Sequence, residues 1–159
     1  MRFVLIDRIV ELEPGTRAVA TMRFDAAHDV FADHFPGMPI VPGVLLTEAM
    51  GQTGGWLLAA TLGFESWPLL VMISNAKFRQ LVRPGETLTL AASLRSGTTD
   101  TFEIETTAMV GEQRVADARL VFRTFAFTLG DAERDQFRAW ARDTYARLGG
   151  PAIVPSRPW

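Results

Sequence analysis

The fold is decided by one apolar run, which reads Val44-Leu-Leu-Thr-Glu-Ala-Met-Gly-Gln-Thr-Gly-Gly-Trp-Leu-Leu-Ala-Ala-Thr-Leu62. The run is long enough to raise the question of a membrane span, but it contains Glu48 and Gln52 and no basic cluster flanks it. We therefore predict a buried helix over residues 44–62 in a protein without membrane contact, with Gly63 as its C-terminal cap.

Three glycines share one face of this helix because they are three and four residues apart: Gly51, Gly54 and Gly55. Each costs about 1 kcal/mol of helix propensity relative to alanine. Close packing of a β-sheet against this face would compensate for that cost, and so would the close approach of a ligand. The sequence leaves both explanations open.

The rest of the core has the pattern of short strands joined by tight turns. In residues 87–95, for example, leucines and an alanine occupy every second position, at 88, 90, 92 and 94, and so share one face. We predict strands over residues 3–12, 16–24, 69–81, 87–95, 102–110 and 114–127, an irregular loop over 25–43, a charged helix over 131–148 and a tail over 151–159. One long apolar helix wrapped by an antiparallel sheet is an α+β fold.

Composition excludes several classes of protein. The 159 residues fit one domain, and a net charge of -2 provides no field that would hold nucleic acid or an anionic membrane. There is no cysteine, and the two histidines, His28 and His34, lack the spacing of a zinc site. The start of the sequence lacks the features of a signal peptide. We expect a cytoplasmic protein without a metal site.

Three prolines at intervals of three stiffen the loop that precedes the helix. Pro36, Pro39 and Pro42 each fix one backbone angle, so His34 is held in a defined place. Pro42 stands where a helix can begin. Gly43, which has no side chain, lets another group approach the first free amides of that helix.

Glu48 is the only charged residue of the helix and lies roughly 7–8 Å along its axis from Gly43. A buried carboxylate without a cation tends to keep its proton and can act as a general acid. His34 would then remove a proton α to a thioester carbonyl, and Glu48 would protonate a leaving β-hydroxyl. The amides of Gly43 and Val44 would hold the enolate-like oxygen. This chemistry needs no cofactor.

Each of the two residues also has an ordinary structural explanation. His34 could be a hydrogen-bonded surface residue, and an arginine elsewhere in the chain could bind Glu48. Their joint appearance around a proline-fixed helix start makes the catalytic and the structural explanation equally good on the residues alone.

A resemblance to a known family adds to these observations. The string His34-Phe-Pro-Gly-x-Pro-x-x-Pro-Gly43-Val-x-x-x-Glu48-Ala-Met-x-Gln52 resembles the signature of the FabZ-type β-hydroxyacyl-(acyl-carrier-protein) dehydratases. Residues 5–15 resemble the opening strand and turn of that family, and residues 75–86 resemble its mid-sheet strand and turn. The resemblance spans about residues 3–127.

The resemblance implies a hot-dog fold over residues 1–130, with the helix and tail of residues 131–159 packed on the same domain as an addition to the family core. It also implies a homodimer, with the assembly of further dimers, such as a trimer of dimers, left open. In such a dimer His34 of one subunit faces Glu48 of the other. The substrate would be an acyl thioester on acyl carrier protein, in fatty-acid or related acyl-chain synthesis.

The family pattern assigns supporting roles as well. It implies that the carbonyl of Ile40 orients His34, that the amides of Gly43 and Val44 meet the thioester oxygen, and that Gln52 supports Glu48. Two residues depart from the pattern. Asp33 precedes the histidine where glycine is usual, and Gly51 replaces the usual alanine.

Three basic residues, Lys77, Arg79 and Arg83, lie on and just after one predicted strand and could bind an acidic carrier protein. Surface charge is more often only solvated. Two other functions are compatible with the same fold: a thioesterase in which Glu48 activates water, and a non-catalytic subunit that binds acyl thioesters.

Overall fold

The computed structural model describes residues 3–124 and 130–152. One long helix lies against a six-stranded sheet in which every neighbouring pair is antiparallel. Across the sheet the strands are ordered β1-β2-β4-β5-β6-β3. In chain order the elements are β1 (Arg8–Glu13), β2 (Arg17–Arg23), α1 (Val30–Asp33), α2 (Gly43–Thr61), β3 (Pro68–Phe78), β4 (Thr87–Gly97), β5 (Thr101–Val110), β6 (Gln113–Thr124) and α3 (Asp131–Arg147). The α+β architecture predicted from the sequence is confirmed.

The helix α2 contacts all six strands. A flat sheet of six strands is about 24 Å wide at 4.8 Å per strand, roughly twice the diameter of a helix, so the sheet must curl around α2 to reach it from both edges. Bulges in β1, β3 and β4 bend the sheet further. Within the described residues no helix is both long and apolar enough to span a membrane.

The core lies between α2 and the inner face of the sheet. In β4 the predicted alternation holds, because Leu88, Leu90 and Ala92 are buried while the residues between them are more exposed. Of the three helix glycines, Gly54 is accounted for by close packing of the sheet. A Cβ at this position would lie 3.3 Å from side-chain carbons of Ile104 and Phe122, so the sheet is the close neighbour.

Some predicted boundaries were wrong. Residues 3–7 are not part of β1. The amide of Asp7 still bonds to the carbonyl of Thr21 in β2, but the backbone groups of Phe3 and Leu5 bond to the side chain of Gln52 on α2. The loop predicted at 25–43 contains the one-turn helix α1. β3 ends at Phe78 rather than at residue 81, because the next two amides both turn to one carbonyl, that of Val115. The predicted strand residues 125–127 and the tail residues 153–159 lie outside the described residues.

The edge strand β3 exposes apolar side chains on both of its faces. Val71, Met72 and Ile73 are each about half exposed, in the middle of an 11-residue strand that has a neighbour on one side only. A long apolar edge strand is a ready template for pairing with another chain.

The C-terminal helix α3 packs on the distal half of α2 through aromatic rings. Tyr145 contacts Trp56 and Phe64, with ring centroids 6.2 Å and 5.3 Å apart. The carbonyl of Leu148, which follows the helix, accepts a hydrogen bond of 2.7 Å from the amide of Ile9 in β1. The start of α3 is stabilised by Glu133, whose side chain accepts a hydrogen bond from the amide of Gly130.

Candidate active site

His34 is held by a backbone carbonyl six residues further along the chain. Its Nδ1 lies 3.1 Å from the oxygen of Ile40. A carbonyl oxygen can only accept a hydrogen bond, so Nδ1 carries the ring proton in the neutral imidazole. Nε2 therefore has its lone pair available, which is the form required of a general base.

The loop around His34 is fixed by a small set of backbone hydrogen bonds. The amide of Ile40 donates a hydrogen bond of 3.0 Å to the carbonyl of His34, and the amide of Val41 donates a hydrogen bond of 2.7 Å to the carbonyl of Val82. Phe35 stacks on the imidazole with ring centroids 4.3 Å apart, and the peptide between these two residues is cis. The histidine thus has a fixed ring orientation.

The start of α2 presents two free backbone donors. Pro42 is the N-terminal cap, and among the described residues the amides of Gly43 and Val44 have no hydrogen-bond partner. The carbonyl of Gly43 accepts a hydrogen bond of 3.0 Å from the hydroxyl of Thr47. The ring of Phe78 lies directly over this position, since a Cβ on Gly43 would be 3.0 Å from it. A side chain at this position would require the ring to shift.

Glu48 is half-buried and lies in the second turn of the same helix. Its Oε1 accepts a hydrogen bond of 2.9 Å from Nε2 of Gln52. The carboxylate forms no ion pair within residues 3–124 and 130–152, as expected from the absence of a basic neighbour on the helix. It is partly open in the single chain rather than fully buried.

Gln52 also anchors the N-terminal segment. Its Oε1 accepts a hydrogen bond of 2.8 Å from the amide of Leu5, and its Nε2 donates a hydrogen bond of 2.8 Å to the carbonyl of Phe3. The sequence did not predict this contact, because residues 3–7 have the composition of a strand. The contact of Phe78 with Gly43 was also missed, since nothing local to either residue signals it.

The structure brings His34 together with Ile40, and Glu48 together with Gln52. It does not join the two pairs, because within the described part of one chain His34 forms neither a hydrogen bond nor an ion pair with Glu48. Apolar side chains around the helix start are open to solvent, and Val44 is 73% exposed.

The three basic residues considered for carrier binding differ in their contacts. Arg79 is paired with Asp117 on β6 at 2.5 Å, and this hydrogen bond raises the pKa of the guanidinium. Within the described residues, the side chains of Lys77 and Arg83 form no ion pair. Lys77 lines a polar groove of about 370 Å³ on the outer face of the sheet, together with Arg114 and Glu105. Two of the three charges are therefore available to a partner.

Asp33 does not interact with the histidine that follows it. Its side chain is exposed and forms no hydrogen bond or ion pair with the rest of the described chain. Asp33 therefore takes no part in the contacts that hold His34.

Comparison with known proteins identifies the family. A family model described as a FabA-like domain matches residues 1–119. The chain belongs to the FabA-like family. Relatives of this FabA-like chain include the 3-hydroxyacyl-(acyl-carrier-protein) dehydratase FabZ of Chloroflexus aggregans, 42% identical over 122 residues that cover 76% of this chain and 84% of the relative. The protein of the same name from Syntrophotalea carbinolica is 42% identical over 120 residues, which cover 74% and 82%.

Solved structures similar to the FabA-like chain include the dehydratase heterocomplex ApeI:P from Xenorhabdus doucetiae, with a TM-score of 0.64, 14% identity and coverage of 84% of this chain and 88% of that one. A thioesterase from Haemophilus influenzae has a TM-score of 0.60 at 15% identity, with coverage of 76% and 80%. These two likenesses concern the fold alone. The hot-dog fold that the sequence predicted for this FabA-like chain is confirmed.

Proposed function

We propose that the chain catalyses the reversible dehydration of β-hydroxyacyl thioesters on acyl carrier protein to trans-2-enoyl thioesters, in fatty-acid or related acyl-chain synthesis. The observation that carries the proposal is the fixed tautomer of His34, whose Nδ1 is bonded to the Ile40 carbonyl next to the free amides of α2. The similarity to relatives named 3-hydroxyacyl-(acyl-carrier-protein) dehydratase supports the same substrate class.

The chemistry follows from the positions of these groups. Nε2 of His34 takes the proton from the α-carbon, and the electron pair moves onto the thioester oxygen, where the amides of Gly43 and Val44 stabilise it. The electron pair then returns to form the α–β double bond while the C–O bond at the β-carbon breaks. Glu48 gives its proton to the departing oxygen, which leaves as water. Proton exchange with solvent restores a neutral imidazole and a protonated carboxyl.

Two chains are needed to complete the site in this proposal. No hydrogen bond or ion pair joins His34 to Glu48 in the described part of one chain, and the edge of β3 offers an apolar template for a second copy. Pairing of two β3 strands would form a homodimer in which His34 of one subunit faces Glu48 of the other. The assembly of three such dimers, the cytoplasmic location and the division of the chain into a dehydratase domain of residues 1–130 and an added segment of residues 131–159 stay predictions.

A mixing experiment tests the shared site. His34→Ala and Glu48→Gln should each lower turnover by about 10²–10⁴-fold, since each removes one proton transfer. A mixed dimer of the two variants has one doubly altered site and one intact site. After subunit exchange, half of the dimers are mixed, so activity should return to about a quarter of the wild-type value. The matched controls are His28→Ala and Glu112→Gln, which leave the proposed site intact.

The readout separates dehydration from hydrolysis of the thioester. Enoyl absorbance and free thiol are followed together with β-hydroxyacyl and enoyl substrates. Interconversion without thiol release is expected. Thiol release without interconversion would overturn the proposal in favour of a thioesterase, and ligand binding with no turnover at all would favour a non-catalytic binding subunit. No recovery on mixing would overturn the site shared between subunits.

A further inference from the structure

Three aromatic side chains form a partly exposed surface at the beginning of β3, which we call the aromatic shelf: Trp67, Phe137 and Trp140. The ring of Trp67 lies 5.2 Å from Phe137 and 5.9 Å from Trp140, measured between centroids. Trp140 remains 45% exposed in the single chain. Exposed tryptophan surface of this kind is typical of a contact with another protein surface.

The shelf is continuous with the edge of β3. Trp67 directly precedes Pro68, the first residue of the strand. Its ring also contacts Trp56 of α2 at 5.3 Å, so the shelf lies on the helix side of the sheet. At the opposite end of the strand, Phe78 also faces the helix side, because its ring covers Gly43.

Two exposed apolar residues lie at that opposite end. Phe78 is 52% exposed and Leu81, three residues further on, is 66% exposed. Nothing in the described part of the chain covers them completely. Each chain therefore carries an aromatic surface near one end of β3 and a second apolar surface, formed by Phe78 and Leu81, near the other end. Both lie along the open edge of the sheet that β3 forms.

We propose that a second copy of the chain covers the aromatic shelf, placing its Phe78 and Leu81 against Trp140. This inference rests on the homodimer of the proposed function. Antiparallel pairing of two β3 strands about Ile73, the middle residue of Pro68–Phe78, brings Pro68 of one copy opposite Phe78 of the other. A two-fold axis normal to the sheet keeps both helices on the same side, so the two apolar surfaces meet twice.

The consequence concerns α3. In each copy the ring of Phe78 lies over Gly43, the first residue of α2. In this arrangement α3 of one copy contacts the Phe78 ring of the other copy. The C-terminal helix of one subunit therefore borders the helix start at which the second copy binds its substrate.

Cross-linking tests the arrangement, and the absence of cysteine from the chain provides a clean background. A short bismaleimide should link Ile73→Cys chains to each other, because this residue lies at the proposed two-fold axis. A mixture of Trp140→Cys and Leu81→Cys chains should give a covalent dimer in high yield. Neither of these variants should link to itself, since its two copies lie at opposite ends of the interface.

A second variant keeps the shelf intact. Gln136→Cys lies one helical turn before Trp140 and preserves all three rings, and it should also link to Leu81→Cys. The matched control is a mixture of Trp140→Cys and Thr98→Cys chains. Thr98 is exposed between β4 and β5, so no cross-link between these two chains is expected. If Ile73→Cys links but neither α3 position links to Leu81→Cys, the shelf proposal is overturned while the dimer stands. If Ile73→Cys does not link, the homodimer through β3 fails and the shelf proposal fails with it.

Discussion

Gln52 donates a hydrogen bond of 2.9 Å from Nε2 to Oε1 of Glu48, one helical turn away on α2. The orientation of the amide is determined by its other partners, because the amide of Leu5 can only donate to Oε1 and the carbonyl of Phe3 can only accept from Nε2. One side chain thus holds both the carboxylate of Glu48 and the N-terminal segment.

We expect Gln52→Leu to weaken both stability and turnover. The substitution leaves the amide of Leu5, the carbonyl of Phe3 and one oxygen of Glu48 without their partner. The free energy of unfolding should fall by about 1–3 kcal/mol, and kcat should fall roughly tenfold as the carboxyl loses its fixed position. Chemical denaturation and steady-state kinetics measure the two effects. Gln113→Leu, at an exposed position at the start of β6, is the matched control, and equal effects of the two substitutions would contradict the role of Gln52.

The neighbouring glycines of α2 should respond oppositely to alanine. At Gly55 a Cβ would lie 3.9 Å from Phe122, an ordinary contact, so Gly55→Ala should stabilise the protein by about 1 kcal/mol through helix propensity. At Gly54 the Cβ would lie 3.3 Å from both Ile104 and Phe122. Overpacking costs about 1–3 kcal/mol, so Gly54→Ala should not show this gain and should destabilise. Urea denaturation of the two variants side by side checks the difference. An increase in the free energy of unfolding for both variants would show that the sheet does not pack closely on Gly54.

Tyr145 should titrate far above the usual range of a phenol. Burial raises its pKa from 10.0 to about 12. Since the folded state holds the proton more tightly than the unfolded state, stability is unaffected below about pH 10 and falls as the pH rises from there through 12. Tyr145 is the only tyrosine of the chain, so phenolate absorbance reports it alone. The midpoint should return to about 10 in denaturant. A native midpoint near 10 would mean that α3 does not bury this ring.

We expect Lys77 and Arg83 to matter for carrier-linked substrates. Charge reversal of both residues should raise KM for an acyl-carrier-protein substrate by on the order of tenfold and leave kcat unchanged, because each exposed pair contributes up to about 1 kcal/mol. KM for the same acyl group on pantetheine should stay constant. Arg17→Glu, distant on β2, is the control.

Arg79 needs separate treatment, because its pairing with Asp117 means that its reversal also removes an internal contact. Reversal of Arg79 and Arg83 together should therefore raise KM no more than reversal of Lys77 and Arg83 does. Unchanged carrier-linked kinetics in both double variants would exclude this docking surface.

The sequence predicted the order and type of the main elements, because alternation and helical periodicity are local properties. It also indicated His34, Gly43 and Glu48, because the prolines and the single charge stand out within one segment. It could not predict that Phe3 and Leu5 bond to α2, since this depends on Gln52, about 47 residues away from Leu5. The position of Phe78 over Gly43 was equally inaccessible, because it depends on how β3 and α2 cross.

The group that orients His34 belongs to the backbone of residue 40, and this has a consequence for how the site can change. Replacing the isoleucine side chain leaves the backbone acceptor in place. Other residues at position 40 can therefore keep the same tautomer of His34. What must persist is the path of the chain between Pro36 and Pro42. A loop lengthened or shortened by one residue would remove the acceptor while the side chains of His34 and Glu48 remained, and a comparison of side chains alone would not reveal such a change.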